Sequence, residues 1–249
     1  MGNKKINYKL QQKNGNLTDY IIHLQKFAIA GQIFSDITHE FNNIVGAMLG
    51  FTQIAKMTND EKDIKKCFEV IISCSEKAKE MNSNILFYLQ SNPKDENLVD
   101  VNSIIQQSIT LVKKGFDKKG IEIRFKSERI PLIKLRVGFF QHAFLNLLLD
   151  AKRSIPPGGE LNVAASFSER EKNVEIFLKS ISWDKSYKNN FKDIESFYDI
   201  FQRVDGANGS NKVTEAGIAY LLLNKEIGGG VELVKNDETG TGYLIKIPT

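Results

Sequence analysis

Cysteine, histidine and tryptophan are scarce in this sequence, whose 249 residues include two Cys, three His and one Trp. The two cysteines, Cys67 and Cys74, lie seven residues apart within a helical pattern. At 1.5 Å per residue that spacing is about 10 Å, which is too long for a disulfide. Two free thiols on an apolar helix face lead us to expect a reducing, cytoplasmic setting.

Long apolar runs and a strong net charge are also missing. No stretch of 18 apolar residues occurs, and the first residues lack the apolar core of a signal peptide, so we expect no membrane anchor. The net charge is +4 and the lysines are dispersed along the chain, which argues against a nucleic-acid partner. With 41% hydrophobic and 26% charged residues, the composition is that of a globular protein with one large or two small domains.

Two long helices are predicted in the first third of the chain. Apolar residues recur at alternating steps of three and four, which is a heptad pattern. The pattern contains Phe27, Ala30, Phe34, Ile37, Phe41, Ile44, Met48, Phe51 and Ala55. It breaks at "MTNDEKD" and then resumes through Ile64, Cys67, Ile71, Cys74, Ala78, Met81, Ile85 and either Tyr88 or Leu89. The two helices form an antiparallel hairpin over residues 17–91.

A two-helix hairpin of this length does not enclose its own apolar residues. Pairing with a second copy into a four-helix bundle would bury them, and we therefore expect a homodimer. The alternative is that the hairpin packs against the C-terminal half of its own chain. The stretch "QSNPKDEN" ends the second helix at Pro93 and is predicted to be a linker.

Residues 98–249 mix helical and strand patterns. A buried helix is predicted for "GFFQHAFLNLLLDAKRSI", and further helical pieces for "IESFYDIF" and "EAGIAYLLLNKEIGGG". Alternating strands are predicted for "IEIRFKSE", "ELNVAASF" and "NVEIFLKSIS", and a final hairpin joins "VELVKND" to "GYLIKIP". The fold class is therefore α+β: a helical hairpin followed by an α/β sandwich with helices on one face of a mixed sheet.

One histidine occupies a special place on the first helix. If Ile37 and Phe41 face the bundle, His39 lies about 200° round from Ile37 and points outward. Asn43 shares that exposed face, and Glu40 is adjacent. No second His or Cys stands three or four residues away, so we expect no metal site. A displayed neutral imidazole is a nucleophile, and Glu40 is placed to hold one ring N–H while Asn43 orients a water or phosphoryl group. The alternative is an ordinary solvated histidine.

The stretch "ITHEFNNIVGAMLGFTQIA" resembles the phosphoacceptor box of two-component sensor histidine kinases. The resemblance implies that His39 accepts a phosphoryl group, that Glu40 assists, and that Asn43 serves dephosphorylation of the partner. The stretch "FFQHAFLNLLLDAKRSIPPGGELNVAAS" is similar to the family's N box, which belongs to an ATP-binding domain, and "NKEIGGGVELVKNDETGTGYLIKIP" resembles the end of that domain.

The nucleotide boxes depart from the family pattern. The N box has Asn146 and Asp150 where the family has two asparagines, so a negative charge would stand beside the triphosphate. Ser180 to Ser182 replace the family's Asp-x-Gly. The glycine-rich lid is reduced to Gly217 with Glu215 nearby, and "GANGS" upstream is predicted to be an ordinary loop. We interpret Asn146 and Asp150 as members of a degenerate nucleotide site.

An intact phosphoacceptor face beside an altered ATP site resembles the ChpT-like histidine phosphotransferases. The resemblance implies a relay between receiver domains of response regulators or hybrid kinases, with docking near Phe34 to Phe51. Magnesium would come with the receiver, so no cofactor of the chain's own is required. Two alternatives stay open: a soluble histidine kinase that uses Mg-ATP, and a non-catalytic pseudokinase that binds a kinase or receiver.

Overall fold

The computed structural model describes residues 2–92, 94–183, 215–236 and 240–249. The predicted helix "IESFYDIF" and the predicted loop "GANGS" lie outside these residues. The described residues form an N-terminal helical hairpin and a C-terminal domain of sheet and helices. This arrangement confirms the predicted α+β class.

The hairpin consists of α1 (Gly2–Met57) and α2 (Glu61–Gln90), so the first helix begins well before residue 17. Asp60 starts α2 because its side chain accepts a hydrogen bond from the backbone N–H of Lys62 at 2.8 Å. Glu61 and Asp63 add negative charge in the first turn, where the helix dipole favours it. The predicted hairpin is therefore confirmed.

The apolar residues of α1 form a buried column and an exposed column in this single chain. The buried column contains Ile22, Ile29, Ile33, Ile37 and Ile44. The exposed column contains Phe27, Phe34 and Phe41, which are 56%, 59% and 44% exposed. The isoleucines pack against the rest of this chain, whereas the phenylalanines are exposed in it. Phe34 and Ile37 are three residues apart, which is an ordinary step of a heptad pattern. Burial of the phenylalanines by a second copy stays a prediction.

The C-terminal domain contains a five-stranded sheet in the order β2-β4-β5-β7-β6. Its strands are β2 (Glu122–Ser127), β4 (Glu160–Ser168), β5 (Asn173–Ser180), β6 (Gly230–Asn236) and β7 (Gly240–Pro248). The pair β2–β4 is parallel and the other three pairs are antiparallel, which confirms the mixed sheet. Every second residue of β5 is buried, because one face of the sheet packs against helices.

The helices of this domain are α3 (Val101–Lys118), α4 (Val137–Ser154) and α5 (Glu215–Leu221), and a π-helical segment (Leu222–Ile227) follows α5. Residues 137–151 of α4 are all buried, because α4 lies between the sheet, α3, α5 and the end of α2. A second, two-stranded sheet pairs β1 (Glu96–Val99) with β3 (Ile133–Arg136). The predicted linker is thus partly a strand.

Candidate functional site

His39 lies on the exposed side of α1, as the heptad register predicts. Within the described residues its imidazole makes no hydrogen bond and no ion pair. Ile37 and Ile44, which flank it along the chain, are buried, so the backbone of this part of α1 is held by packing while the ring stays accessible. The prediction of an outward imidazole is confirmed; the catalytic role of His39 stays a prediction.

Asn43 stands one helical turn after His39 and is also exposed. Residues four apart on a helix are neighbours on its surface, so the Asn43 amide lies over the same patch as the ring. This placement agrees with the predicted position of Asn43. Its role in orienting a water or a phosphoryl group stays a prediction.

Glu40 does not hold the His39 ring in this structure. Its Oε2 atom lies 2.9 Å from Nζ of Lys114 on α3. The hydrogen bond and the charge of Glu40 together raise the pKa of Lys114 above its usual value. The carboxylate next to the imidazole is therefore paired with the C-terminal domain.

Asp36, one turn before Glu40, makes the same kind of contact. Its carboxylate lies 2.6 Å from Nζ of Lys118 on α3 and 3.8 Å from Nζ of Lys152 on α4. We call the five residues Asp36, Glu40, Lys114, Lys118 and Lys152 the charged ladder. They line the contact between α1 and the C-terminal domain.

Asn146 and Asp150 both lie buried on α4, and other protein groups bond to them. Asn146 donates from Nδ2 to the backbone oxygen of His142 at 2.8 Å. Asp150 accepts a hydrogen bond from the Tyr243 hydroxyl at 2.6 Å, and its other oxygen lies 3.4 Å from the Arg153 guanidinium. Arg153 is also paired with Glu215 at the start of α5. The two carboxylates of this region are thus joined through one arginine.

The end of β5 packs against the same region. Ser180 is buried, and its Oγ atom accepts a hydrogen bond from the backbone N–H of Ser182 at 3.1 Å. Trp183 is 2% exposed and meets the Tyr243 ring edge-on, with 5.5 Å between ring centres. The structure therefore brings the predicted boxes together around Asp150 and Tyr243.

Sequence reasoning missed the lysines of the charged ladder and Tyr243. Lys114 and Lys118 do show a signal, because they are four residues apart, as are Asp36 and Glu40. That spacing alone names no partner. Tyr243 lies 93 residues from Asp150 in an ordinary strand pattern, and nothing local marks it.

Residues 30–93 match the His Kinase A (phospho-acceptor) domain family. Sporulation kinase A of Bacillus subtilis (strain 168) is 26% identical over 164 residues, which are 65% of this chain. Sporulation kinase B of the same organism is 22% identical over 161 residues, or 61% of the chain. The chain spans about a quarter of the length of the first kinase and about a third of the second, at 26% and 36%.

Among solved structures, the chain is similar to the catalytic domain of histidine kinase ThkA. The TM-score is 0.49 at 14% identity, over 62% of this chain and 95% of that one. Acinetobacter baumannii histidine kinase AdeS gives a TM-score of 0.47 at 14% identity, over 84% of this chain and 97% of that one. Across the parts of the chain that the structure describes, no helix combines the length and apolarity needed to cross a membrane.

The exposed His39 falls inside the matched phospho-acceptor domain, followed by the acid and two asparagines of the phosphoacceptor box. A sheet-and-helix domain follows the hairpin in this chain. Residues 30–93 thus match the phospho-acceptor domain family, and the chain as a whole is similar to two-component sensor histidine kinases.

Proposed function

We propose that this protein is a histidine phosphotransferase that relays phosphoryl groups between receiver-domain aspartates through His39. The observation that carries this proposal is the free, exposed imidazole within the matched phospho-acceptor domain. A nucleophile for a protein substrate has to be displayed in this way, because the partner's aspartyl phosphate must come in line with the ring nitrogen.

The reaction is a displacement at phosphorus. The lone pair of one ring nitrogen of His39 forms the N–P bond, and the P–O bond to the receiver's aspartate breaks with its electron pair on the carboxylate. The second ring nitrogen keeps its proton, and a nearby carboxylate stabilises the charge that develops on the ring. In the second step, the aspartate of another receiver attacks the phosphorus, and the N–P bond breaks with its electron pair returning to the His39 nitrogen. Mg²⁺ bound by the receiver would neutralise charge on the phosphoryl oxygens, so His39 needs no metal ligand of this chain.

The second part of the proposal is that ATP is not the phosphoryl donor. In the family's nucleotide region, Asp150 already accepts from Tyr243 and faces Arg153. Two carboxylates, Asp150 and Glu215, would stand near a bound triphosphate and repel it. The side chain of Trp183 is buried against Tyr243 just after the end of β5.

A histidine kinase that phosphorylates His39 from ATP is the second candidate. The similarity to two sporulation kinases favours it, and so does Asn146, which matches the N box. The resemblance to ChpT-like phosphotransferases favours the relay. A non-catalytic pseudokinase is the third reading and requires no phosphoryl group on His39.

We also propose that the protein works as a homodimer. The exposed column of α1 contains Phe27, Phe34 and Phe41 at heptad spacing, and Phe68 and Ile72 on α2 are 55% and 59% exposed. Large apolar side chains in a continuous stripe on a helical hairpin are typical of a bundle interface. A second copy of the hairpin would bury them in a four-helix bundle.

Two labelling reactions distinguish the three candidates. In the first, the protein is mixed with a phosphorylated receiver domain; in the second, with radiolabelled ATP and Mg²⁺. A relay protein takes the label only in the first reaction, and His39→Ala abolishes it. Label on His39 from ATP alone would establish the kinase, and no label from either source would favour the pseudokinase. Lys113→Ala, an exposed change on α3, serves as the matched control.

A further inference from the structure

The charged ladder is a regular structure. Asp36 and Glu40 are four residues apart on α1, and their partners Lys118 and Lys114 are four apart on α3 in the opposite order. The two helices therefore run side by side and antiparallel, with one ion pair per turn. Lys152 on α4 adds a second cation beside Asp36 at 3.8 Å.

Gly115 makes this close approach possible. It is buried in the last turn of α3, and within a helix glycine is less favourable than alanine by about 1 kcal/mol. A Cβ atom at this position would lie 2.3 Å from Nζ of Lys152 and 2.6 Å from Oδ2 of Asp36. Any larger residue would therefore push Asp36 and Lys152 away. The glycine is explained by the ladder and not by a turn.

The charged ladder fixes the position of the Glu40 carboxylate. Adjacent helical residues point about 100° apart, so Glu40 reaches the His39 ring only if its side chain bends back over the helix surface. Instead it extends to Lys114. Beside this pair lies a cavity of about 610 Å³ between the hairpin and the C-terminal domain, lined in part by Glu40, Met81, Asn84 and Lys114. The ion pair, rather than tight packing, holds the carboxylate.

We propose that Lys114 is a positioning residue that keeps Glu40 on α3 and away from the imidazole of His39. While the C-terminal domain contacts α1, phosphoryl transfer to His39 is slow. When the C-terminal domain separates from α1, Glu40 is free to stabilise the charge on the His39 imidazole. A receiver that loosens the ladder as it docks would speed its own reaction. This inference rests on the proposed role of His39 as phosphoacceptor.

The test measures transfer from the small donor phosphoramidate to His39 in the full chain. Lys114→Gln is expected to raise the rate by up to about fivefold, since the pair is partly exposed. Lys114→Arg keeps the charge and is expected to restore the slow rate. Lys113→Gln, an exposed neighbour without an ion pair among the described residues, is the matched control. The increase in transfer rate must vanish when Glu40→Gln is combined with Lys114→Gln. An increase that persists in this double variant overturns the proposal.

Gly115→Ala tests the same contact without removing a charge. Its methyl group displaces Asp36 and Lys152, so we expect a gain similar to that of Lys114→Gln. A rate at or below wild type in both variants contradicts the proposal. Raising NaCl from about 50 mM to about 500 mM should narrow the difference between wild type and Lys114→Gln, because salt screens exposed pairs.

The His39 ring resonances provide a readout that needs no phosphoryl transfer. The chemical shifts of the His39 ring should differ between Lys114→Gln and wild type. In the Lys114→Gln, Glu40→Gln double variant they should equal those of Glu40→Gln alone. If these shifts occur while no variant accepts phosphate, the role of His39 as phosphoacceptor fails and the positioning of Glu40 stands. If transfer occurs without any such shift, the phosphoacceptor stands and the positioning role fails.

Discussion

The hydroxyl of Tyr88 on α2 lies 2.8 Å from Nδ1 of His142 on α4. Burial, and to a lesser extent the charge of Lys26, lower the pKa of His142 to about 3. Burial also raises the pKa of Tyr88 above its usual value. The phenol and the neutral imidazole thus share one hydrogen bond at Nδ1, and the imidazole tautomer sets which of them donates. This buried bond ties the hairpin to the C-terminal domain.

Tyr88→Phe should reduce stability. The substitution leaves Nδ1 of a fully buried imidazole without its hydrogen-bond partner, and we expect a loss of about 1–3 kcal/mol in the free energy of unfolding. Urea denaturation followed by circular dichroism measures it. Tyr20→Phe is the control, because Tyr20 is 61% exposed and its hydroxyl faces solvent. Equal unfolding midpoints for Tyr88→Phe and wild type would contradict the prediction.

Stability should fall on acidification because of His142. Its pKa is about 3 in the folded protein and about 6.5 in an unfolded chain. Between these values the unfolded state binds more protons, so the stabilisation is complete above pH 6.5 or so and is lost as the pH falls towards 3. From about pH 8 to about pH 5 we expect a loss of about 2 kcal/mol from this group.

His142→Gln isolates this contribution, since glutamine still accepts the Tyr88 hydrogen bond and does not titrate. Urea midpoints are compared for wild type and variant across the pH range, so that the pH dependence due to the carboxyl groups, which both proteins share, cancels in the difference. The difference between the two curves should grow as the pH falls below about 6.5. Parallel curves would show that another group carries the pH dependence.

Phe34→Glu should weaken the dimer without unfolding the chain. Phe34 is 59% exposed in the single chain, so the change removes no internal packing, while two glutamates would face each other in the bundle. Sedimentation velocity should show a shift from dimer to monomer at unchanged helix content. Leu132→Glu, at a residue 58% exposed on the C-terminal domain, should leave the dimer intact. A wild type that sediments as a monomer would refute the interface.

Asp150→Asn should not create a kinase. The change removes one negative charge from the predicted nucleotide region, and Tyr243 still donates to the new amide oxygen. Glu215 and the Ser180 strand end remain, so we expect no labelling of His39 from ATP. Binding of a fluorescent ATP analogue and autoradiography measure the two steps. The control is Asp117→Asn on the exposed end of α3. ATP-dependent labelling of His39 in Asp150→Asn but not in the control would contradict the prediction and show that Asp150 alone prevents use of ATP.

Local patterns predicted most of the fold. The break at "MTNDEKD" coincides with the turn before α2, and the last hairpin pairs β6 with β7 in antiparallel register. The boundary of α1 was missed, since the helix extends to Gly2 beyond the residues with a clear heptad. The strand β1 was missed because its partner β3 stands more than 30 residues away.

The amino-acid sequence by itself determined that His39 points outward, because a helix repeat of 3.6 residues fixes its direction relative to Ile37. The sequence also led us to predict that the nucleotide boxes are replaced. Only the tertiary structure decided that the isoleucine column of α1 packs inward, that Tyr243 bonds to Asp150, and that Lys114 holds Glu40. The physical reason is that these contacts join residues far apart in the chain, and periodicity gives a side chain's direction but not what it meets there.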